Sequence, residues 1–322
     1  MDKYVVVKSN RGAGLGDNLL VVFTGIIIAH LYDRKLIVDW SDGSFADIGV
    51  NAFSCFFNLL QSISADISLE NLNDLDSVEP SAWRGNLHLH SFELYLQQGW
   101  DSYDRQRTAE VLSCNPLYFD SPTTVLVVTD FSRLPDGVNL VQMRNLISSY
   151  LSPSYLLAQR VDDFVNHNLS TPSIGVHVRK SSESGALEKY RQPSQYFQIL
   201  SQLLTTISSP LIFLASDNSD VINDWLDLFP NLVIRPKLMP NPGLPLHFSD
   251  YGLTRFDSSL DSLLDMFILS RCSHIVYPDN SAFSISSVIF SRLPDSCLSS
   301  IPFRKLSLLR RSWRKLKSVF DN

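Results

Sequence analysis

The residues of this chain best suited to chemistry lie where a short apolar stretch ends in a cation. Ile174, Val176 and Val178 alternate with other residues, and this period of two predicts a buried strand. His177 and Arg179 stand at its carboxyl end. Ligands of open parallel sheets bind just beyond that end, and the planar guanidinium of arginine suits a phosphate. The stretch therefore predicts an anion site, with a surface ion pair beside a buried structural histidine as the alternative.

Three more polar residues are candidates for the same site. Asp217 follows another predicted strand, where it could bind a ribose hydroxyl, orient Arg179 or cap the next helix. Ser281 is predicted to start a helix, whose free N–H groups suit a phosphate. Asp265 lies off the apolar face of the predicted helix Leu260–Cys272, and periodicity leaves open whether it points into a cleft or into solvent.

A glycine-rich loop follows the first predicted strand. Gly12, Gly14 and Gly16 allow close approach of the backbone to a ligand, just before a helix N-terminus. Their G-x-G-x-G spacing differs from the G-x-G-x-x-G of dinucleotide-binding proteins. Asp39 nevertheless stands near the position of a ribose-binding acid. A nucleotide-linked oxidoreductase therefore remains an alternative, as does a tight turn that binds nothing.

The elements that must position these residues alternate between strand and helix. Strands are predicted at Tyr4–Lys8, Leu36–Asp39, Leu87–His90, Val125–Thr129, Ile174–Val178, Leu211–Ala215, Leu232–Ile234 and His274–Tyr277. Helices are predicted at Asn18–Tyr32, Asp136–Tyr150, Ser154–Asn166, Pro193–Ile207, Val221–Phe229 and Leu260–Cys272. This order is typical of α/β proteins with mainly parallel sheets.

We therefore expect two Rossmann-like domains that face each other across a cleft. The boundary is placed at residues 150–151, where Ser152 and Pro153 are typical of a helix start. The domains are then 1–150 and 151–303, followed by a basic tail, 304–322. Residues 235–259 are rich in proline and glycine, as lids and binding loops often are.

Composition excludes several classes of protein. The chain has 322 residues and a net charge of −6, which argues against a general nucleic-acid binder. Seven cations between Arg304 and Lys317, with several leucines and a tryptophan, are typical of a helix that lies on an anionic membrane or on the acidic body of the protein. Four distant cysteines and a strand close to the N-terminus predict a cytoplasmic protein without disulfides or a metal motif.

Several of these motifs together resemble a known family. Gly14–Asp17, Val38–Trp40, Gly175–Arg179, Asp265–Cys272 and Ser281–Phe283 occur in the order seen in the α1,6-fucosyltransferases that include the rhizobial nodulation-factor enzymes. The resemblance runs from about Tyr4 to about Ile289. The His-Val-Arg motif and the spacing from Asp265 to Ser281 are its most specific parts.

The resemblance implies a GT-B fold, an inverting reaction without a metal, GDP-fucose as donor and a glycan acceptor, with the first domain on the acceptor side. It also implies that Arg179 binds the β-phosphate of the donor. Other donor contacts would come from His177, Asp217, Asp265 and Ser281, which occupy matching positions. Lys180 and the loop glycines Gly14 and Gly16 are expected to help Arg179 neutralise the diphosphate.

The chain also departs from the family pattern. Lys180 stands where relatives have Arg or His, and Lys180–Glu183 replaces the Arg-Arg-Thr-Asp-Lys continuation of the eukaryotic enzymes. The acid expected to act as base is displaced, so Glu183 and Glu188 are both candidates for removing the proton of the acceptor hydroxyl. A transferase for another GDP-sugar, or a non-catalytic nucleotide- or glycan-binding protein, remains open.

Overall fold

The computed structural model describes residues 2–9, 13–65, 67–73, 75, 77–97, 110–169, 172–179, 193–239 and 252–302. The strands are β1 (Tyr4–Lys8), β2 (Lys35–Asp39), β3 (Phe57–Leu59), β4 (Val78–Glu79), β5 (Val125–Val128), β6 (Leu151–Pro153), β7 (Ser173–Val178), β8 (Leu211–Ser216), β9 (Leu232–Val233), β10 (His274–Pro278) and β11 (Leu298–Ile301). The helices are α1 (Leu15–Leu31), α2 (Ala52–Phe56), α3 (Leu69–Asn73), α4 (Ser91–Gln97), α5 (Arg144–Tyr150), α6 (Tyr155–Asn168), α7 (Pro193–Thr206), α8 (Ser219–Leu228), α9 (Arg255–Arg271) and α10 (Ala282–Phe290).

The first sheet has the strand order β2–β1–β5–β4, and its neighbouring strands are parallel. Val5, Val6 and Val7 of β1 are fully buried because helices and loops cover both faces of the sheet. A short antiparallel pair, β3–β6, joins residues 57–59 to residues 151–153. The expected parallel α/β sheet is therefore present in this half.

The second sheet has the order β11–β10–β7–β8–β9 and is also parallel. One face of β7 carries Ile174, Val176 and Val178 into a core shared with α7 and α8. On the other face, a Cβ added at Gly175 would lie 2.9 Å from the Cys272 sulfur. The alternation of residue types in the sequence thus correctly distinguishes the two faces of β7. On the second face, Gly175 has no side chain, which lets the sheet approach α9 closely.

The two halves share one apolar core. Phe57 of β3 stacks on Phe290 of α10 with ring centroids 6.2 Å apart, and Phe267 of α9 lies 4.5 Å from the same ring. Phe56 stacks on Phe256 at 4.8 Å. Buried residues of both sheets belong to this cluster. The halves are therefore joined by a broad hydrophobic interface next to the edge where the candidate site lies.

Two predicted elements were wrong. Residues Leu87–His90 form turns instead of a strand, and the short β4 pairs with β5 at that side of the sheet. The helix predicted from Asp136 begins only at Arg144. Gly85 lies just before the first stretch and Gly137 lies within the second. Both adopt left-handed backbone angles, which interrupt regular structure.

The other predicted strands and helices are present. Their ends differ by three residues or fewer, except that α9 starts five residues earlier than predicted, after the cap Thr254. Of the helices within the described ranges, none combines the length and the apolar character needed to cross a membrane.

Candidate functional site

The candidate site lies at the carboxyl edge of the second sheet, where β10, β7, β8 and β9 end side by side. They deliver, in that spatial order, Ser281, Arg179, Asp217 and Lys237. Neighbouring strands are about 4.8 Å apart, so this row spans about 14 Å. Three predicted residues, Ser281, Arg179 and Asp217, are brought together because the strands run in the same direction.

Arg179 is held loosely at this edge. Its side chain is 28% exposed, and Nε lies 3.9 Å from Oδ2 of Asp217, beyond hydrogen-bond distance. Nε is buried and donates no hydrogen bond to the part of the chain that the structure describes. The guanidinium therefore has the charge and the geometry to receive an anionic ligand.

Asp217 is placed beside Arg179 and does not cap the next helix. Asn218 caps α8, because its side chain accepts hydrogen bonds from the backbone N–H groups of Asp220 and Val221 at 3.0 and 3.2 Å. Of the three roles considered for Asp217, capping is thus excluded. Orienting Arg179 fits the geometry, and contact with a ribose stays a prediction.

His177 is buried and neutral. Its Nδ1 lies 2.5 Å from Oγ of Ser284, and its ring is 4.7 Å from that of Phe283. Burial, together with the nearby charges of Arg179 and Lys237, lowers the pKa of His177 to about 3. His177 therefore fixes the first turn of α10 without adding a positive charge to the site.

Ser281 is the N-cap of α10, as predicted. Its side chain accepts from the backbone N–H of Ser284 at 3.5 Å. The N-terminus of α1 meets this helix end, because a Cβ added to Gly16 would lie 2.5 Å from the backbone nitrogen of Phe283. Gly16 is thus required by helix packing, whereas contact of Gly14 and Gly16 with a donor stays a prediction. Two positive helix ends therefore meet at this contact.

Asp265 does not point into solvent, because the residue is only 3% exposed. Its two carboxylate oxygens accept from Arg235 Nε at 2.8 Å and from Lys237 Nζ at 2.5 Å. Arg235 also binds Asp261 at 2.8 Å, and Lys237 donates to the backbone oxygen of Ser216 at 2.9 Å. This buried network ties the segment after β9 to α9 and to the end of β8.

Sequence reasoning missed Arg235 and Lys237. A signal was present, because Arg235 directly follows the predicted strand Leu232–Ile234 and Lys237 comes two residues later, so both lie close to a strand end. They were read only as part of a loop rich in proline and glycine.

Several predicted residues fall outside the described ones. These are Gly12, Lys180, Glu183, Glu188 and the basic segment Arg304–Lys317. Their roles remain predictions. Within the described residues, no group of three or more His, Cys, Asp or Glu side chains has the arrangement of a metal site.

The carboxyl edge of the first sheet is different. Asp39 forms a buried ion pair with Lys8, with Nζ 2.5 Å from Oδ2, and also accepts from Ser41. Burial alone would raise the pKa of Asp39, but Lys8 and Ser41 hold it below its usual value. The acid considered for a dinucleotide ribose is thus already engaged by Lys8 and Ser41.

Comparison with known proteins gives a consistent result. Residues 2–300 match the profile of the nodulation protein Z (NodZ) family. A crystal structure of NodZ α1,6-fucosyltransferase soaked with GDP-fucose has a TM-score of 0.62 and 19% identity, over 90% of this chain and 93% of that chain. Fucosyltransferase NodZ from Bradyrhizobium gives 0.60 and 19%, over 90% and 94%. No curated protein matches the sequence.

A more distant structure shares the architecture. POFUT1 in complex with GDP-fucose has a TM-score of 0.52 and 13% identity, over 94% of this chain and 99% of that chain. These similarities confirm the predicted fold class, an α/β protein with two Rossmann-like halves in the GT-B arrangement. Since the family profile covers residues 2–300, the chain belongs to the NodZ family.

Proposed function

We propose that this protein is an inverting, metal-independent glycosyltransferase that moves fucose from GDP-fucose to a hydroxyl of a glycan acceptor. The observation that carries the proposal is Arg179, a cation with a buried Nε that lacks a hydrogen bond to the described residues, beside the N-terminus of α10. Family membership supports the choice of donor, because NodZ structures have been determined with GDP-fucose and with GDP.

The reaction separates an anionic GDP from a sugar with oxocarbenium character. Arg179 would neutralise the charge that grows on the leaving diphosphate, and the converging N-termini of α1 and α10 would add their positive ends. Lys180 would assist Arg179. Glu183 or Glu188 would take the proton of the acceptor hydroxyl.

The two halves would divide the substrates between them. Residues 151–303 would bind the nucleotide sugar, and residues 1–150 would bind the glycan acceptor. The four cysteines are free, which fits a reducing cytoplasm. The basic segment Arg304–Lys317 would contact an anionic membrane peripherally. Nucleic acid would not be a partner.

The proposal is tested by donor turnover. The purified full chain is incubated with GDP-fucose, GDP-mannose or UDP-glucose, with and without a panel of glycan acceptors, and nucleotide release and product mass are measured. GDP-fucose should be consumed fastest, with acceptor-dependent addition of one fucose, equally in EDTA and in Mn²⁺. Consumption of GDP-mannose alone, or activity that EDTA abolishes and Mn²⁺ restores, would contradict the proposal.

A further inference from the structure

We propose that Lys237 is a positioning residue of the donor site, which holds the Asp265 carboxylate against the end of β8 so that it accepts hydrogen bonds from the nucleoside part of the donor. This inference rests on the proposed function and assigns a role to a residue that the sequence motifs did not include.

The geometry of Lys237 is that of a bridge between three elements. Its Nζ donates to Oδ2 of Asp265 in α9 at 2.5 Å and to the backbone oxygen of Ser216 in β8 at 2.9 Å. The side chains of Lys237 and Asp265 are only 9% and 5% exposed. An ammonium group has three N–H donors, so two of them are engaged in holding the carboxylate to the strand end.

The order of charges along the sheet edge indicates which part of a nucleotide lies here. The end formed by β10 and β7 carries the α10 N-terminus and Arg179, which favour phosphate. The end formed by β8 and β9 carries the carboxylates of Asp217 and Asp265. A nucleoside offers hydroxyl and N–H donors, which carboxylates accept, and the row of about 14 Å suits a nucleoside diphosphate laid along it.

Arg235 and Lys237 bind different oxygens of Asp265 and connect it to different elements. Arg235 binds Oδ1 of Asp265 and also the side chain and backbone oxygen of Asp261, so it anchors the segment to α9 alone. Lys237 connects the same carboxylate to β8. Its charge also acts on His177, which lies at the end of β7. Of the two cations, Lys237 is therefore the one on the side of the site.

The test compares Lys237→Met with Lys237→Arg and with the control Lys35→Met. Lys35 makes a similar bond to a backbone oxygen, that of Ser62 at 2.9 Å, at the opposite edge of the first sheet. Calorimetry with guanosine, GMP and GDP is combined with kcat and KM for GDP-fucose. Lys237→Met should weaken all three ligands by a similar factor, about tenfold. Donor KM should rise by that factor with kcat unchanged. Lys237→Arg should recover most of the affinity, and Lys35→Met should behave like wild type.

A Lys237→Met protein that binds guanosine as wild type does would overturn the inference, as would a loss confined to GDP, which would make Lys237 a phosphate contact. If that variant does not fold, Asp265→Asn provides the same test with Lys237 in place, and an unchanged guanosine affinity would again overturn it. A wild-type chain that binds no guanosine nucleotide contradicts the proposed function itself.

Discussion

Lys8 and Arg179 occupy equivalent places in the two sheets, yet they differ in exposure and in the distance to their acidic partners. Each stands at the carboxyl end of an interior strand, β1 or β7. Lys8 is 1% exposed, with Nζ 2.5 Å from Asp39 and 5.6 Å from the ring of Trp83. Arg179 is 28% exposed and 3.9 Å from Asp217. The same position in the topology thus holds a closed ion pair in one half and an open cation in the other.

A charged residue at a strand end is therefore not enough to define a binding site. The two charges of a buried pair depend on each other, so removal of one partner leaves an uncompensated buried charge and destabilises the fold. A cation with a distant partner retains its capacity to bind an added anion. Experiments can therefore distinguish the two sites. Substitutions at Lys8 or Asp39 should reduce the stability of the fold, and substitutions at Arg179 should reduce the binding of an anionic ligand.

The largest stability loss is expected for Lys8→Met, which leaves the buried Asp39 carboxylate without its cation. Such a change costs about 3–5 kcal/mol of unfolding free energy. Urea unfolding of this variant and of Lys35→Met, which should be near wild type, measures the effect. Replacing both partners, with Lys8→Met and Asp39→Leu together, should recover most of the loss. A single variant as stable as wild type would show that the pair is not structural.

Gly16→Ala should destabilise the protein less, by about 1–3 kcal/mol, since overpacking forces backbone shifts. The new methyl group would meet the backbone of Ala282 and Phe283, which cannot rotate away as a side chain can. Because this contact joins the two halves, donor affinity should fall as well. Equal stability and equal affinity for GDP in the variant would contradict the close helix contact.

The buried His177 predicts a pH dependence of stability. Its pKa is about 3 in the folded protein, against about 6.5 in the unfolded chain. Below pH 6.5 the unfolded state gains a proton that the folded state excludes, so stability falls as pH falls towards 3. The slope from this group approaches about 1.4 kcal/mol per pH unit.

Unfolding curves between pH 7 and pH 5 measure that slope. The variant His177→Gln keeps a hydrogen-bonding group near Ser284 but cannot titrate, so its stability should depend less steeply on pH. Identical slopes for the two proteins would mean that His177 accepts a proton in the folded state.

The pairing of Asp217 with Arg179 should contribute least to stability, less than about 1 kcal/mol in a double-mutant cycle of Asp217→Asn and Arg179→Met, because it is long and partly exposed. The same urea measurement as for Lys8→Met gives the comparison directly. A coupling energy above about 2 kcal/mol would make Arg179 and Asp217 a structural pair like Lys8 and Asp39.

The sequence predicted much of the fold because strand patterns are local. The alternation in residues 174–178 defined β7 and both of its faces, and the rule for parallel sheets then placed Arg179, Asp217 and Ser281 at one edge. The stretches that failed, Leu87–His90 and the region after Asp136, are apolar enough for regular structure. Left-handed glycines and turns interrupt them instead.

The chemical state of the site residues was less predictable because it depends on distant partners. The neutrality of His177 depends on burial and on Lys237, 60 positions away in the sequence. The partners of Asp265 come from the segment after β9, and the neighbour of Gly16 comes from α10. No local pattern contains such contacts.

The most direct test of the account is GDP binding by Arg179→Met, measured by calorimetry beside guanosine and followed by GDP-fucose turnover. Arg179→Lys, which keeps the charge and loses the planar fork, is the matched variant. We expect Arg179→Met to bind guanosine as wild type does, to lose most of its additional affinity for GDP, and to turn over donor about 10²–10³ times more slowly. Wild-type affinity for GDP together with wild-type turnover would contradict the central claim.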